Sequence, residues 1–270
     1  MKAKTIYRRW KRKTSRLLSN LPKLLRLSQK QGEPEHIHQL RVALRRLRLA
    51  MRVAPPLSNG AVIDEFRKWS RSASDTAGPV RDYDVTLDWL RNRSASAEMI
   101  GLVVSRRRRS FKTLQSKLEP LRARFGKRLG DFDHGRDQMA RLRKRFHKQI
   151  RAHQEYVFQG SSRFFTLEVP EQHAFRRVVR RLRYLRELGV ARRAQKDDRL
   201  LQQLARLHET MGEYQNRVVA AQLLNRFKPS TEANRLCQLL VRETVALQKS
   251  IRRELKVLDK IRDVARWCPN

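Results

Sequence analysis

The chain has 270 residues, and 40% of them are hydrophobic, which is enough to bury a sizeable core and argues against a disordered tail. Its 63 Lys and Arg residues outnumber its 26 Asp and Glu residues and give a formal net charge of +37, an imbalance that no ordinary metabolic enzyme needs. Because a compact body of this charge repels itself, the composition predicts a polyanionic partner: nucleic acid, an anionic membrane or inorganic polyphosphate.

The two cysteines, Cys237 and Cys268, stand far apart without metal-ligand spacing, so we expect a reducing cytoplasm and no disulfide framework. No apolar run approaches the length of a transmembrane helix. Residues 1–32 contain basic and hydroxyl side chains but no acid, a composition that organellar transit peptides share. We favour a helical role for this segment, because its apolar residues recur at helical spacing.

Gly and Pro are scarce and divide the sequence into long segments of helical periodicity, which predicts an all-α protein. The first segment runs from about residue 2 to residue 29 and places Ile6, Trp10 and Leu21 on its inward side. Gly32-Glu33-Pro34-Glu35 then forms a turn and supplies acids to the positive end of the next helix. Pro55-Pro56 ends that helix.

The helix over residues 36–52 has two faces of different chemistry. At about 100° per residue, five basic side chains fall within an arc of about 80°. They are His38, Arg41, Arg45, Arg48 and Arg52. On the far side lies an apolar stripe made of Leu40, Leu44, Leu47 and Met51. We therefore expect the apolar face to be buried in a core and the basic face to bind an anion.

A third segment begins near Ala61, and we expect an interruption at Gly78-Pro79 before it resumes. The acids that follow, Asp82, Asp84 and Asp88, are interpreted as caps of the resumed helix that pair with nearby arginines, rather than as a Mg²⁺ site. A fourth segment runs from about residue 97 to residue 125. Its Arg106-Arg107-Arg108-Arg109 run winds round the whole helix, so we expect most of it to be solvated.

After Gly130 the pattern starts again. The arginines and histidine around His38 recur at His173 with an offset of 135 residues, and Gly78 recurs at Gly212 with an offset of 134. This internal repeat predicts two antiparallel four-helix bundles, over residues 1–130 and 131–270, related by a pseudo-twofold axis. The axis would bring the two basic helices near each other.

Three motifs carry a resemblance to a known family: His-x-x-Arg-Val-x-x-Arg-Arg-x-Arg at 38–48, Gly-x-x-Arg-Asp-x-Asp-Val at 78–85 and His-x-x-Arg-x-x-x-Arg-Arg-x-Arg-Tyr at 173–184. Together they resemble the CHAD family of conserved-histidine α-helical domains. The resemblance implies that both halves form one domain that binds inorganic polyphosphate in a basic channel, often at polyphosphate granules. Relatives also occur with CYTH triphosphate-processing domains; the chain has no Glu-x-Glu-x-Lys motif, so such a partner would be a separate protein.

The resemblance also implies which residues bind the anion. In the first half they are His38, Arg41, Arg45, Arg46 and Arg48, with Arg81 in the turn motif. In the second half they are His173, Arg176, Arg180, Arg181, Arg183 and Tyr184. We add the basic residues Arg8, Arg12 and Arg52 to the predicted polyphosphate site. Asn216 stands where the family usually has Asp, so we expect the two halves to differ.

Two interpretations of His38 and His173 stay open: direct contact with phosphate, or an imidazole satisfied by a neighbouring carbonyl or carboxylate. A metal site at His36 and His38 is disfavoured, because side chains two residues apart diverge on a helix. We expect Tyr184 to be a half-buried core residue with its hydroxyl at the basic rim.

The sequence shows neither a Gly-rich phosphate loop nor a carboxylate cluster of the kind that holds Mg²⁺, so we expect binding without catalysis, metal or cofactor. The alternative function is nucleic-acid binding by a nucleoid-like protein, which the charge alone supports equally well. Aromatic residues are few and are not interleaved with the basic arc, which favours polyphosphate. We expect a cytoplasmic protein with no membrane partner, which contacts nucleic acid non-specifically at low salt.

Overall fold

The computed structural model describes residues 3–54, 60–125, 136–191 and 193–262, and this part of the chain contains eight α-helices and no strand. The helices are α1 (Ala3–Lys30), α2 (Pro34–Val53), α3 (Gly60–Arg91), α4 (Ala97–Phe125), α5 (Arg136–Ser161), α6 (Val169–Gly189), α7 (Arg199–Leu224) and α8 (Thr231–Ile261). The prediction of an all-α protein is confirmed. None of the described helices is long and apolar enough to span a membrane.

The amphipathic pattern of α2 decides how this helix packs. Pro34 occupies its first turn, where the missing N–H costs nothing, and Glu35 lies near its positive end. The whole predicted apolar stripe is buried, with Leu44 and Leu47 at 0% exposure. Burial of this stripe leaves the arginines of the opposite arc on the side that faces away from the core.

The first helix ties the two halves of the chain together. On α1, Ile6 and Trp10 are buried, and the indole Nε1 of Trp10 donates to the Ala50 carbonyl at 3.0 Å. Arg9 donates to the Gly189 carbonyl at 2.7 Å, and the Lys13 ammonium donates to the Glu187 carbonyl. These donors satisfy carbonyl groups that the last turn of α6 leaves without an intrahelical partner.

The turn between α1 and α2 requires glycine. Gly32 has φ of +63°, and an added Cβ would lie 2.2 Å from the Phe111 ring of α4. Only glycine adopts this left-handed conformation without strain, and only a missing side chain lets the ring approach so closely.

The predicted interruption at Gly78-Pro79 is wrong, because α3 continues without a break from Gly60 to Arg91. Pro79 has no N–H to donate to the Asp75 carbonyl one turn earlier, so the helix continues with one backbone hydrogen bond fewer. Side-chain donors from α2 reach neighbouring carbonyl groups of this stretch. Arg41 donates to the Ser74 carbonyl at 2.7 Å, and Arg48 donates to the Ser70 carbonyl. Gly78 therefore marks the point where the Arg41 guanidinium group approaches α3 closely, and not the end of a helix.

The buried core joins residues that are distant in sequence. One hydrophobic cluster contains side chains from both halves, among them Leu44 of α2 and Leu182 of α6. A smaller cluster joins α3 and α4 to α7 and α8 and includes Leu90 and Leu236. The division into bundles over residues 1–130 and 131–270 stays a prediction, with its boundary outside the described residues.

One member of the Arg106–Arg109 run is not solvated. The Nε of Arg107 donates to Asp84 at 2.5 Å, and its Nη2 donates to the Gly32 carbonyl at 2.6 Å. The Asp84 side chain is 1% exposed and that of Arg107 is 17% exposed, whereas Arg108 and Arg109 are exposed. The pair fixes α4 against α3 and the α1–α2 turn.

We expect Arg107→Ala to lower the free energy of unfolding by about 3 kcal/mol at pH 7, because it leaves a carboxylate buried without its partner. Burial already raises the pKa of Asp84, so the loss should shrink as the pH falls and the carboxyl group becomes neutral. Urea unfolding followed by circular dichroism measures both effects. The double variant Arg107→Ala with Asp84→Asn should recover part of the loss, and a double variant as unstable as the single one would contradict this explanation.

Candidate anion-binding site

Helix α2 packs against α6, and each of the two also packs against a second helix, α3 for α2 and α7 for α6. Burial, and then the charges of Arg45 and Arg176, lower the pKa of Arg180 to about 9. Burial and the charge of Arg45 also lower the pKa of Arg176. The predicted approach of the two basic helices is thus present, and Arg45 of α2 lies within electrostatic reach of both arginines of α6. We call the following residues the central cluster: Arg41, Arg45, Arg48, Arg81, Arg176, Arg180, Arg183 and His208.

Each half packs one arginine of this cluster against a glycine. An added Cβ on Gly78 would lie 3.2 Å from Nη1 of Arg41, and an added Cβ on Gly212 would lie 3.5 Å from Nη2 of Arg176. Both glycines lie inside helices, so their value is the space that they leave for a guanidinium group. The two contacts recur at the same sequence offsets as the motifs.

A second contact repeats in the same way. Arg48 donates to the Ser74 hydroxyl at 3.0 Å, and Arg183 donates to Nδ1 of His208 at 3.3 Å. Ser74 and His208 each lie one helical turn before the glycine of their half. The two halves therefore hold their arginines with equivalent contacts but different acceptors, a hydroxyl group in one and an imidazole in the other.

Two of the predicted anion-binding arginines already have an acidic partner. Glu187 accepts from Arg46 at 2.9 Å and from Arg183 at 2.8 Å. The Arg46 guanidinium also lies over the Tyr184 ring, 4.9 Å from its centroid, and Tyr184 is buried. Arg46 therefore joins α2 to α6 across the two halves. Sequence reasoning missed Glu187, although its position four residues after Arg183 is the spacing of a helical ion pair.

Arg45, Arg176 and Arg180 have no hydrogen bond or ion pair with any described residue. The Nε atoms of Arg45 and Arg176 are buried without a partner. An unsatisfied buried donor costs about 1–3 kcal/mol, and more when it carries charge. Three like charges from both halves therefore lie close together, and none of the three guanidinium groups has a hydrogen-bond acceptor among the described residues.

The two halves differ in their carboxylates. Asp82 lies near Arg41 and Arg81. Burial raises the pKa of its carboxyl group, and the two cations offset only part of this shift. Besides burial, the groups that act most strongly on the pKa values of Arg176 and Arg180 are other arginines and Tyr184, not carboxylates. Asn216, the position equivalent to Asp82, donates instead to Glu213 at 3.4 Å. Asp82 thus acts on Arg41, whereas Asn216 brings no charge to the corresponding arginine of the second half, Arg176.

The predicted histidines lie at the edges of the cluster. Burial and then the charge of Arg81 lower the pKa of His38, while burial and then the charge of Arg176 lower that of His173. Neither ring has a hydrogen-bond partner within the described ranges. No group of three His, Cys, Asp or Glu side chains among the described residues is arranged to hold a metal ion.

Sequence reasoning missed His208, which projects from α7 into the centre. Burial lowers its pKa to about 3, and the charges of Arg176 and Arg180 contribute to this shift. The ring is therefore neutral at physiological pH. The sequence feature that could have indicated His208 is its position four residues before Gly212, because Ser74 stands at the same distance before Gly78.

The remaining predicted residues lie around the cluster. Burial and then the charges of Arg52 and Arg177 lower the pKa of Arg181, so these residues extend the basic surface beyond Arg48. Arg8 and Arg12 are exposed on α1, and the charge of Arg12 acts on the Lys13 ammonium. The structure does not bring these two arginines into the cluster.

Comparison with known proteins bears on both the sequence and the fold. The family model described as the CHAD domain matches residues 10–225. The chain is also similar to the crystal structure of the CHAD domain from the plant Ricinus communis, with 20% sequence identity and a TM-score of 0.61, over 90% of this chain and 89% of that one. A likeness at this identity concerns the fold. No curated protein matches the chain.

The low pKa of His208 predicts a pH dependence of stability. Between about pH 6.5 and pH 3 the unfolded chain binds a proton that the folded ring does not, so stability falls as the pH falls. Between pH 7 and pH 5, His208 should lower the free energy of unfolding by up to about 2 kcal/mol. Urea unfolding at both pH values should show a smaller loss for His208→Gln than for the wild type. Equal losses would contradict the prediction.

Proposed function

The chain belongs to the CHAD domain family, and from that premise we propose that it binds inorganic polyphosphate without changing it chemically. The observation that supports this proposal best is the meeting of Arg45 with Arg176 and Arg180, three cations without a described acidic partner. Phosphate oxygens would supply the missing acceptors, because the guanidinium fork offers paired donors to them.

The extent of the basic surface favours a polymer over a single phosphate. Along α2, successive arginines at spacings of three or four residues rise about 5 Å apart. The series continues through Arg48 and Arg52 to Arg181 of α6, whose pKa the charge of Arg52 lowers. A flexible chain with about one negative charge per phosphate follows such a series without a fixed register, so the proposed binding tolerates different chain lengths.

Nucleic-acid binding is the second candidate function, and the net charge of +37 favours it. Single-stranded nucleic acids are usually held by aromatic side chains on which bases stack. Tyr184, the aromatic residue at the cluster, is buried and its ring is covered by Arg46. The cluster thus offers cations but no stacking surface, which favours an anion without bases.

Under this proposal the protein is a cytoplasmic binding module that associates with polyphosphate granules or regulates polyphosphate use. It requires neither a metal nor a cofactor, and a CYTH-type protein is a candidate partner. These roles rest on the family resemblance.

The first test compares two double charge reversals. We expect Arg45→Glu with Arg180→Glu to weaken polyphosphate binding by at least about 100-fold, because each lost charge-assisted contact is worth about 1.5–3 kcal/mol. Arg108→Glu with Arg109→Glu changes the net charge equally on an exposed surface and should weaken it less than about tenfold. Fluorescence anisotropy with labelled long-chain polyphosphate measures both.

Circular dichroism spectra should show the same helicity for both double variants as for the wild type. Equal losses of affinity from the two pairs would mean that net charge, and not the central cluster, determines binding.

The second test uses competition at physiological salt. Long-chain polyphosphate should displace duplex DNA from the protein, and DNA should not displace polyphosphate at comparable phosphate concentration. For both ligands, the logarithm of the binding constant should fall linearly with the logarithm of the salt concentration, because each binding event releases counterions. Efficient displacement of polyphosphate by DNA would reverse the order of the two candidate functions.

A further inference from the structure

His208 has one ring nitrogen engaged and one free. A guanidinium group can only donate hydrogen bonds, so Nδ1 of His208 accepts from Arg183 and carries no proton. The proton of the neutral ring is therefore on Nε2. This atom has no hydrogen-bond partner among the residues described, and it is not one of the fully buried atoms without a partner, so it keeps some access to solvent. The ring is held beside the centre of the cluster with an N–H to offer.

We propose that His208 is an uncharged hydrogen-bond donor to the bound polyanion, with Nε2–H directed to a phosphate oxygen and Arg183 fixing the tautomer. This inference rests on the proposed function and adds to it a residue of a different chemical kind. Neither the family motifs nor the pseudo-repeat placed a histidine at this position, where the first half has Ser74.

The surroundings keep the ring neutral. Arg45 of α2 faces it, as do Arg176, Arg180 and Arg183 of α6, and all four lower its pKa. The Tyr184 ring lies edge-on, 6.5 Å from the imidazole centroid. The charged groups that act most strongly on the pKa of the ring are all arginines. A neutral donor adds a contact there without adding to the repulsion among the arginines.

This role differs from that of an arginine in a measurable way. A cation that neutralises a phosphate releases a counterion and steepens the dependence of affinity on salt. A neutral donor releases none. Removing His208 should therefore lower the affinity by the same factor at every salt concentration, whereas removing an arginine should also reduce the slope.

The experiment measures binding of long-chain polyphosphate at several salt concentrations. His208→Phe should bind about tenfold more weakly, the usual effect of one hydrogen bond to a charged group, with an unchanged slope. His208→Gln can accept from Arg183 and donate to phosphate, and it should stay within about threefold of the wild type. Arg180→Gln is the matched control and should reduce the slope by about one unit.

Wild-type affinity in His208→Phe, or a reduced slope in that variant, would overturn the proposal. So would a loss of affinity that disappears at pH 8 and grows at pH 6, since that pattern would mean an imidazolium contact. Arg183 keeps its bond to Glu187 in both variants, which preserves its position.

A measurement without ligand separates this proposal from the proposed function. The ¹⁵N shifts of the His208 ring should show Nε2 protonated and Nδ1 unprotonated from pH 5 to pH 8. On addition of polyphosphate, the Nε2–H signal should shift while the ring remains neutral. If the wild type binds no polyphosphate, both proposals fail; if it binds and this signal does not move, only the role of His208 fails.

Discussion

The central constraint on this molecule is the repulsion among arginines that the fold brings together. Arg45 of α2 faces Arg176 and Arg180 of α6, and each charge makes the others harder to keep ionised, as the lowered pKa values of the α6 pair show. Nothing within the described chain neutralises these three side chains. The structure tolerates this because the helices that carry them are held from behind by a continuous hydrophobic core. Under the proposed function, an anion bound beside these arginines would relieve their repulsion.

The acids of the chain support this arrangement without cancelling it. Glu187 holds Arg46 and Arg183 at the boundary between α2 and α6, and Asp84 holds Arg107 on the far side of α3. Both leave Arg45, Arg176 and Arg180 without an acidic partner among the described residues. With so few acidic residues against so many basic ones, their placement matters more than their number. Each one fixes a helix where an unpaired charge would otherwise push it away.

Sequence periodicity was sufficient for the helices and for the two faces of α2, because burial follows directly from the spacing of its leucines. It was insufficient at Gly78, where a glycine and a proline suggested a break. The structure uses that glycine to admit Arg41, a contact that depends on a neighbouring helix. His208 and Glu187 were missed for the same reason. Their roles come from side chains that meet only once α6 is packed against α2 and α7.

The contacts of α1 have a consequence for how the protein is made. Arg9 and Lys13 donate to carbonyl groups at the end of α6, about 180 residues further along the chain. A ribosome synthesises the first helix long before those acceptors exist, so the amino-terminal half emerges without the partners that complete its packing. Synthesis of the second half thus supplies both the carbonyl groups that Arg9 and Lys13 bind and the Glu187 carboxylate that pairs with Arg46 of α2.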